Sequence, residues 1–140
     1  MSDVASRAVA VARVWIGTPY RHQASCRGSG CDCLGLLRGV WRELYGHDPE
    51  VVPAYTRDWS EPGGEERLWQ AACRHLVPAA GGLAVGQVLL FRMRDGAVAK
   101  HLGIATGQDS FIHAYSGHGV VESALTVPWR RRVVARFDFP

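Results

Sequence analysis

The hydrophobic period changes partway along the chain, and that change limits the fold more than any other feature. In the first part, apolar residues recur at three- and four-residue steps. Val4, Ala8, Val11, Ala12 and Trp15 share one face of a helix predicted over residues 3–16, with Ser2 or Asp3 as its cap and Gly17 and Pro19 to stop it. Leu36, Leu37, Val40, Trp41 and Leu44 predict a second helix from about residue 33, capped by Asp32 and ended by Gly46. A third fits roughly 64–76, with Leu68, Trp69, Ala72, Cys73 and Leu76 inward, so Cys73 reads as a core residue. Residues 20–31 hold Ser25, Gly28, Ser29 and Gly30 and read as loop; so do residues 47–60, with Pro49, Pro53 and nearby Pro62. Beyond residue 86 the pattern becomes short and β-rich, over 87–93, 100–106, 110–115, 120–123 and 133–139, punctuated by Gly, Asp and Pro. Helices first and strands second indicate an α+β fold with a mostly antiparallel sheet.

Its length of 140 residues suits one domain, 1–140. An apolar fraction of 47% and a charged fraction of 21% argue against disorder. Sixteen basic and 13 acidic residues give a net charge of only +3, and the one dense basic run, Arg130 to Arg132, reads as a solvated face, so direct nucleic-acid binding is not expected. No stretch approaches the roughly 20 apolar residues a membrane span needs. Asp3, Arg7 and Arg13 interrupt any signal-peptide core, so the usual secretion route is not expected and a protein acting outside the cell would need another carrier. Cys26, Cys31 and Cys33 crowd together, with Cys73 apart, which is not an evenly spaced disulfide framework. A cytosolically made chain would keep them reduced. A disulfide between Cys26 and Cys31 stays open as a modulator of Cys33; two free thiols are the plainer reading.

Cys33 falls at the first turn of the second helix, just after its cap. The positive end of a helix favours thiolate over thiol there, whereas a packed, inert thiol is the plain alternative. His101 and His113 lie on two adjacent predicted strands, twelve residues apart. If the hairpin pairs them directly, both point to one face with Cβ atoms about 5 Å apart. A three-residue loop, Thr106-Gly107-Gln108, gives that parity, and so does a shorter turn with a bulge; a two-residue turn puts the two on opposite faces. A thiol, an imidazole to take its proton and a polar group to orient that imidazole are what attack on a peptide carbonyl requires. The Cys33 N–H and the Tyr20 hydroxyl are candidate oxyanion donors. Tyr20 and Asp32 are the candidate oxyanion- and substrate-binding residues.

Four strings stand in sequence order: Gly17-Thr18-Pro19-Tyr20-Arg21 followed by Asp32-Cys33-Leu34-Gly35-Leu36; Gly86-Gln87-Val88-Leu89-Leu90-Phe91; His101-Leu102-Gly103-Ile104; and Phe111-Ile112-His113-Ala114. Together they resemble the NlpC-type family of papain-like cell-wall cysteine peptidases, over almost the whole chain. The resemblance implies a papain-like fold with N-terminal helices on a five- to six-stranded sheet. It implies Cys33 as nucleophile, His101 as base, His113 as its orienting partner and Tyr20 near the nucleophile. It also implies hydrolysis of the bond between D-glutamate and a diamino acid in peptidoglycan stem peptides, with no metal or organic cofactor. Leu34 departs from the serine common after the nucleophile, a residue linked in some members to the stem peptide's amine. The leucine form, the string from Gly30 to Leu36 and the run from Pro128 to Arg132 resemble the subfamily of phage tails and gene transfer agents. That implies tail-tip or baseplate hub proteins as partners, and a particle that carries the enzyme to the periplasm of a target cell.

Three other readings remain at this point. Cys26, Cys31 and Cys33 with a histidine could hold zinc, although their spacing does not match paired-cysteine sites. The domain could be a catalytically silent part of a tail tip. The same fold could also run another acyl transfer.

Overall fold

A computed structural model describes residues 3–50 and 64–140. The elements run, in chain order, α1 (Asp3–Trp15), β1 (Ser25–Cys26), β2 (Gly30–Cys31), α2 (Cys33–Tyr45), α3 (Arg67–His75), β3 (Val77–Pro78), β4 (Val88–Phe91), β5 (His101–Ala105), β6 (Ser110–Tyr115), β7 (Gly119–Ala124), α4 (Val127–Arg132) and β8 (Val133–Asp138). β1 and β2 form a small pair of their own. The other six strands form one sheet in the order β3-β8-β4-β5-β6-β7, every neighbouring pair antiparallel. This is the expected α+β architecture with six strands.

Period explains which faces are buried. α1 buries Ala8, Ala12 and Trp15, and α2 buries Leu36, Val40, Trp41 and Leu44. The two helices meet where a Cβ on Gly39 would collide with the Trp15 indole, so the glycine lets that ring reach the α2 backbone. Gly46 ends α2 at φ 85°, the left-handed conformation, with its N–H on the Arg42 carbonyl. Both helices share a core with Val88, Leu90, Leu102, Ile104, Ile112, Ala114 and Val120 from one face of the sheet. The opposite face carries Leu89, Phe91, Ala105 and Phe111, covered by Leu125 and Trp129. With both faces covered, β4 is buried at all four positions and shows no alternation.

Three expectations need correcting. α3 is shorter than 64–76, and Cys73 is exposed rather than in the core. Leu68, Ala72 and Leu76 form the buried line; five residues past Leu68, Cys73 sits about 140° around the helix. The segment 20–31 is not all loop, since β1 and β2 lie inside it. α4 was not anticipated; Pro128 in its first turn suits a helix start. Residues 51–60 of the expected loop lie outside the described residues. Among the described residues no helix is long and apolar enough to cross a membrane.

Candidate active site

The start of α2 is built around Asp32, which is 3% exposed. One carboxylate oxygen accepts the Gly35 N–H at 2.7 Å and the other accepts the Gln23 N–H at 2.8 Å. The side chain therefore caps the helix and ties the preceding loop to it. Gly35 is required by the same closure, because a Cβ there would fall on the Ala24 carbonyl oxygen, which accepts the Asp32 N–H at 3.2 Å. Ser25 completes the tie by donating its hydroxyl to the Gly35 carbonyl at 2.6 Å. The Gly17-to-Arg21 string is a strap. Gly17 donates to Val120 O, Val120 donates to Thr18 O, Cys31 donates to Pro19 O and Arg21 donates to Cys31 O. Tyr20 thereby bridges Cys31, is half-buried, and stands beside the start of α2.

Cys33 is the first residue of α2, so its N–H has no acceptor within the helix. Its thiol donates to the Lys100 carbonyl oxygen at 3.4 Å and is also engaged by the backbone of Leu102. The sulfur thus lies against the peptide groups on both sides of His101. Burial, reinforced by the neighbouring Asp32 carboxylate, pushes the thiol up from 9.0 to about 12, against the pull of the Leu102 and Leu34 backbone. The expectation from helix position alone was a favoured thiolate. Desolvation and the cap's own charge push the other way, toward the neutral thiol, at a residue that is half-buried.

The two histidines come together, by a register other than the direct one. Ile104 pairs with Ile112 and Ala105 with Phe111. Carried onward, that register sets Gly103 opposite His113 and His101 opposite Tyr115. The histidines are therefore diagonal neighbours, still on one face because the offset is two. The three-residue turn is 107–109, since Thr106 N–H donates to Ser110 O. A Cβ on Gly103 would press on the Phe111 ring, and His101 Nε2 lies 2.7 Å from His113 Nδ1. His113 is fully buried and His101 is 8% exposed. Burial, then the His113 ring, lowers His101 from 6.5 to about 3; burial, then His118, lowers His113 to about 4. Both rings are neutral at pH 7.

Two neighbours of this pair were not singled out from the sequence. Ser123 Oγ lies 2.8 Å from His113 Nε2. Trp129 from α4 sets its ring 5.8 Å from His101, 5.1 Å from His113 and 5.5 Å from Tyr115. The arginine run behind it is not simply solvated. Arg130 donates to Gln108 O at 2.6 Å and pairs with Asp109, and Arg132 lies over the Trp129 ring. β7 sheet register and α4 packing decide both placements, and neither leaves a local signal. A cavity of about 370 Å³ opens between α2 and α3, reaching Leu34 and Leu102, the residues after Cys33 and His101. All four cysteines are free, and Cys26 faces outward while Cys31 is buried. Among the described residues no three His, Cys, Asp or Glu side chains gather as a metal site requires.

The helix-borne thiol set against a sheet with paired histidines places the chain among α+β domains of papain-like architecture. Its fold matches the NlpC/p60 domain of the peptidoglycan hydrolase SagA with a TM-score of 0.66, over 96% of this chain and 98% of that one at 24% identity. An NlpC/P60 family protein from Bacillus cereus matches with a TM-score of 0.67, over 96% of this chain and 40% of that one at 20% identity. The NlpC/P60 family profile matches residues 17–137, and the chain belongs to that family. It is 30% identical over 131 residues to the Escherichia coli K12 protein named murein DD-endopeptidase MepS/murein LD-carboxypeptidase, covering 93% of this chain and 60% of that protein. It is 29% identical over 118 residues to the probable endopeptidase NlpC of the same strain, covering 84% and 66%. The chain thus spans about 60% of the length of the first of these relatives.

Proposed function

We propose that this domain is a cysteine peptidase that hydrolyses peptidoglycan stem peptides, with Cys33 as nucleophile and His101 as base. The observation that carries the reading is the thiol held against the backbone on both sides of His101, whose Nε2 is engaged by His113. With Nε2 so engaged, Nδ1 is the nitrogen left to take the thiol's proton. The reaction starts from a neutral pair. The resting thiol donates to Lys100 O and not to the imidazole, so the proposed reaction begins with the sulfur leaving that carbonyl for His101 Nδ1; there it gives up its proton and attacks the peptide carbonyl. The imidazolium then protonates the leaving amine, and a water deprotonated by the same nitrogen releases the acyl group from sulfur. His113 orients the imidazole. The Cys33 N–H and the Tyr20 hydroxyl are the proposed oxyanion donors. Asp32 acts by holding the helix start in place. The cavity that reaches Leu34 and Leu102, the chain neighbours of Cys33 and His101, is the proposed room for the peptide.

The proposed scissile bond joins D-glutamate to the diamino acid. The name of the Escherichia coli relative supports a second choice, the D,D cross-link. Mass spectrometry of purified muropeptides after incubation distinguishes the two by product mass. Cys33→Ala should abolish product while the circular dichroism spectrum stays unchanged; undiminished turnover would refute the nucleophile. Leu34 and the Pro128-to-Arg132 run support delivery by a phage tail or gene transfer agent, docked to tail-tip or baseplate proteins and acting in the target's periplasm. Purified particles that lack this chain would end the delivery part of the proposal.

A further inference from the structure

The hydrogen-bonded line through the site does not stop at His113. It runs His101 Nε2, His113 Nδ1, His113 Nε2, Ser123 Oγ, with gaps of 2.7 and 2.8 Å. One hydrogen sits between the two rings, and it has two possible homes. If His113 Nδ1 carries it, His101 carries its own hydrogen on Nδ1 and cannot accept the thiol's proton. If His101 Nε2 carries it, His101 Nδ1 is bare and competent, and His113 must carry its hydrogen on Nε2. That second arrangement needs an acceptor at His113 Nε2, because the ring is fully buried and an orphaned buried N–H is strongly disfavoured. A bare nitrogen without a donor is tolerated better. The Ser123 hydroxyl can donate to a bare Nε2 or accept from Nε2–H, so its presence lifts the penalty on the second arrangement, and we infer that Ser123 is a positioning residue that admits the competent tautomer of both histidines. The ring it acts on cannot turn away. Phe111 packs 4.3 Å from it, Tyr115 stacks at 5.2 Å and 20°, and Trp129 meets it edge-on. Ser123 stands on β7 opposite Phe111, two residues beyond Val121, the partner of His113, so the sheet fixes its reach.

This inference rests on the assignment of His101 as base, and the experiment separates the two. Nitrogen-15 NMR of histidine-labelled protein at pH 7 reads each ring's tautomer without substrate, and muropeptide turnover is measured alongside. Wild-type protein should populate the state with Nε2–H and bare Nδ1 at both His101 and His113. Ser123→Ala should move His113 toward Nδ1–H and lower kcat roughly tenfold with KM unchanged, the lower end of effects seen for residues that orient a site's ligands. Ser123→Thr keeps the hydroxyl on a residue suited to a strand and should restore both signals. An alanine variant with wild-type tautomers and wild-type kcat overturns the inference. So does a threonine variant as impaired as alanine in both readouts. Wild-type protein with the expected tautomers but no muropeptide product would instead count against the peptidase reading.

Discussion

At Asp32 two demands meet in one side chain. Its oxygens hold the N–H groups of Gly35 and Gln23, which shapes the helix start that presents Cys33. Its charge, next to the sulfur, adds to burial in holding the thiol up at about 12. The cap thus shapes the helix start and at the same time favours the protonated Cys33 thiol. Asp32→Asn separates these effects. Asparagine is a good cap, so the Gly35 bond survives, while Gln23 N–H loses an acceptor at a cost of about 1 kcal/mol. With the charge gone, the Cys33 thiol should titrate lower, and each unit of fall raises its thiolate fraction about tenfold at neutral pH. Iodoacetamide should therefore alkylate Cys33 faster in the variant, as read by peptide mass spectrometry. An unchanged or slower rate would show that the carboxylate does not act on the sulfur.

The element that carries both histidines is the β5–β6 hairpin, with α4 laid against it. The sequence made the hairpin's strands legible because β-rich composition and the turn residues between runs are local signals, and it made the shared face of the histidines legible because parity survives a shift of two. It could not reveal that the pair is diagonal, since register is settled by the whole sheet. The stripes of α1 and α2 were legible for the same local reason, as was Gly46. Cys73 was misplaced because an apolar-looking side chain was counted inward although it lies well off the Leu68, Ala72 and Leu76 line. Ser123 had no role in the sequence reading and Trp129 was read only as part of the Pro128-to-Arg132 run, because their places beside the histidines depend on contacts between elements distant in sequence. A helix start can be read from a sequence, whereas the desolvation and the Asp32 charge that push the Cys33 thiol up cannot. Trp129 also bears on the site's working range, since its ring closes over both histidines. Trp129→Ala should admit water to the pair and relieve the desolvation that holds both rings low. The acid limb of kcat/KM should then move up toward pH 6.5, with a stability loss of about 2 kcal/mol, below the ~3–5 expected for a fully buried tryptophan. A pH profile measured beside urea denaturation checks both. An acid limb that stays in place would mean that α4 does not shield the histidines.

Across the whole molecule the buried titratable groups set a window of stability. His101 and His113 titrate at about 3 and 4 when folded but near 6.5 when unfolded. Between those values the unfolded chain binds more protons than the native one, so stability rises with pH and is lost on acidification. Cys31 and Cys33 act at the other end. Burial first and Asp32 second raise both from 9.0 to about 12. Above pH 9 the unfolded chain releases protons that the native state keeps, so stability falls as pH rises. The expected curve is a dome with its top between about pH 6.5 and 9. The acid side should approach a slope of about 1.4 kcal/mol per pH unit for each histidine. Urea midpoints should therefore be lower at pH 5 and at pH 10 than at pH 7.5. His113→Gln removes one of the two acid-side groups and should flatten that side while leaving the alkaline side as it was. Equal midpoints at pH 5 and 7.5 in the wild-type protein would contradict the burial of a neutral histidine pair, and with it the proton-accepting state on which the proposed chemistry depends.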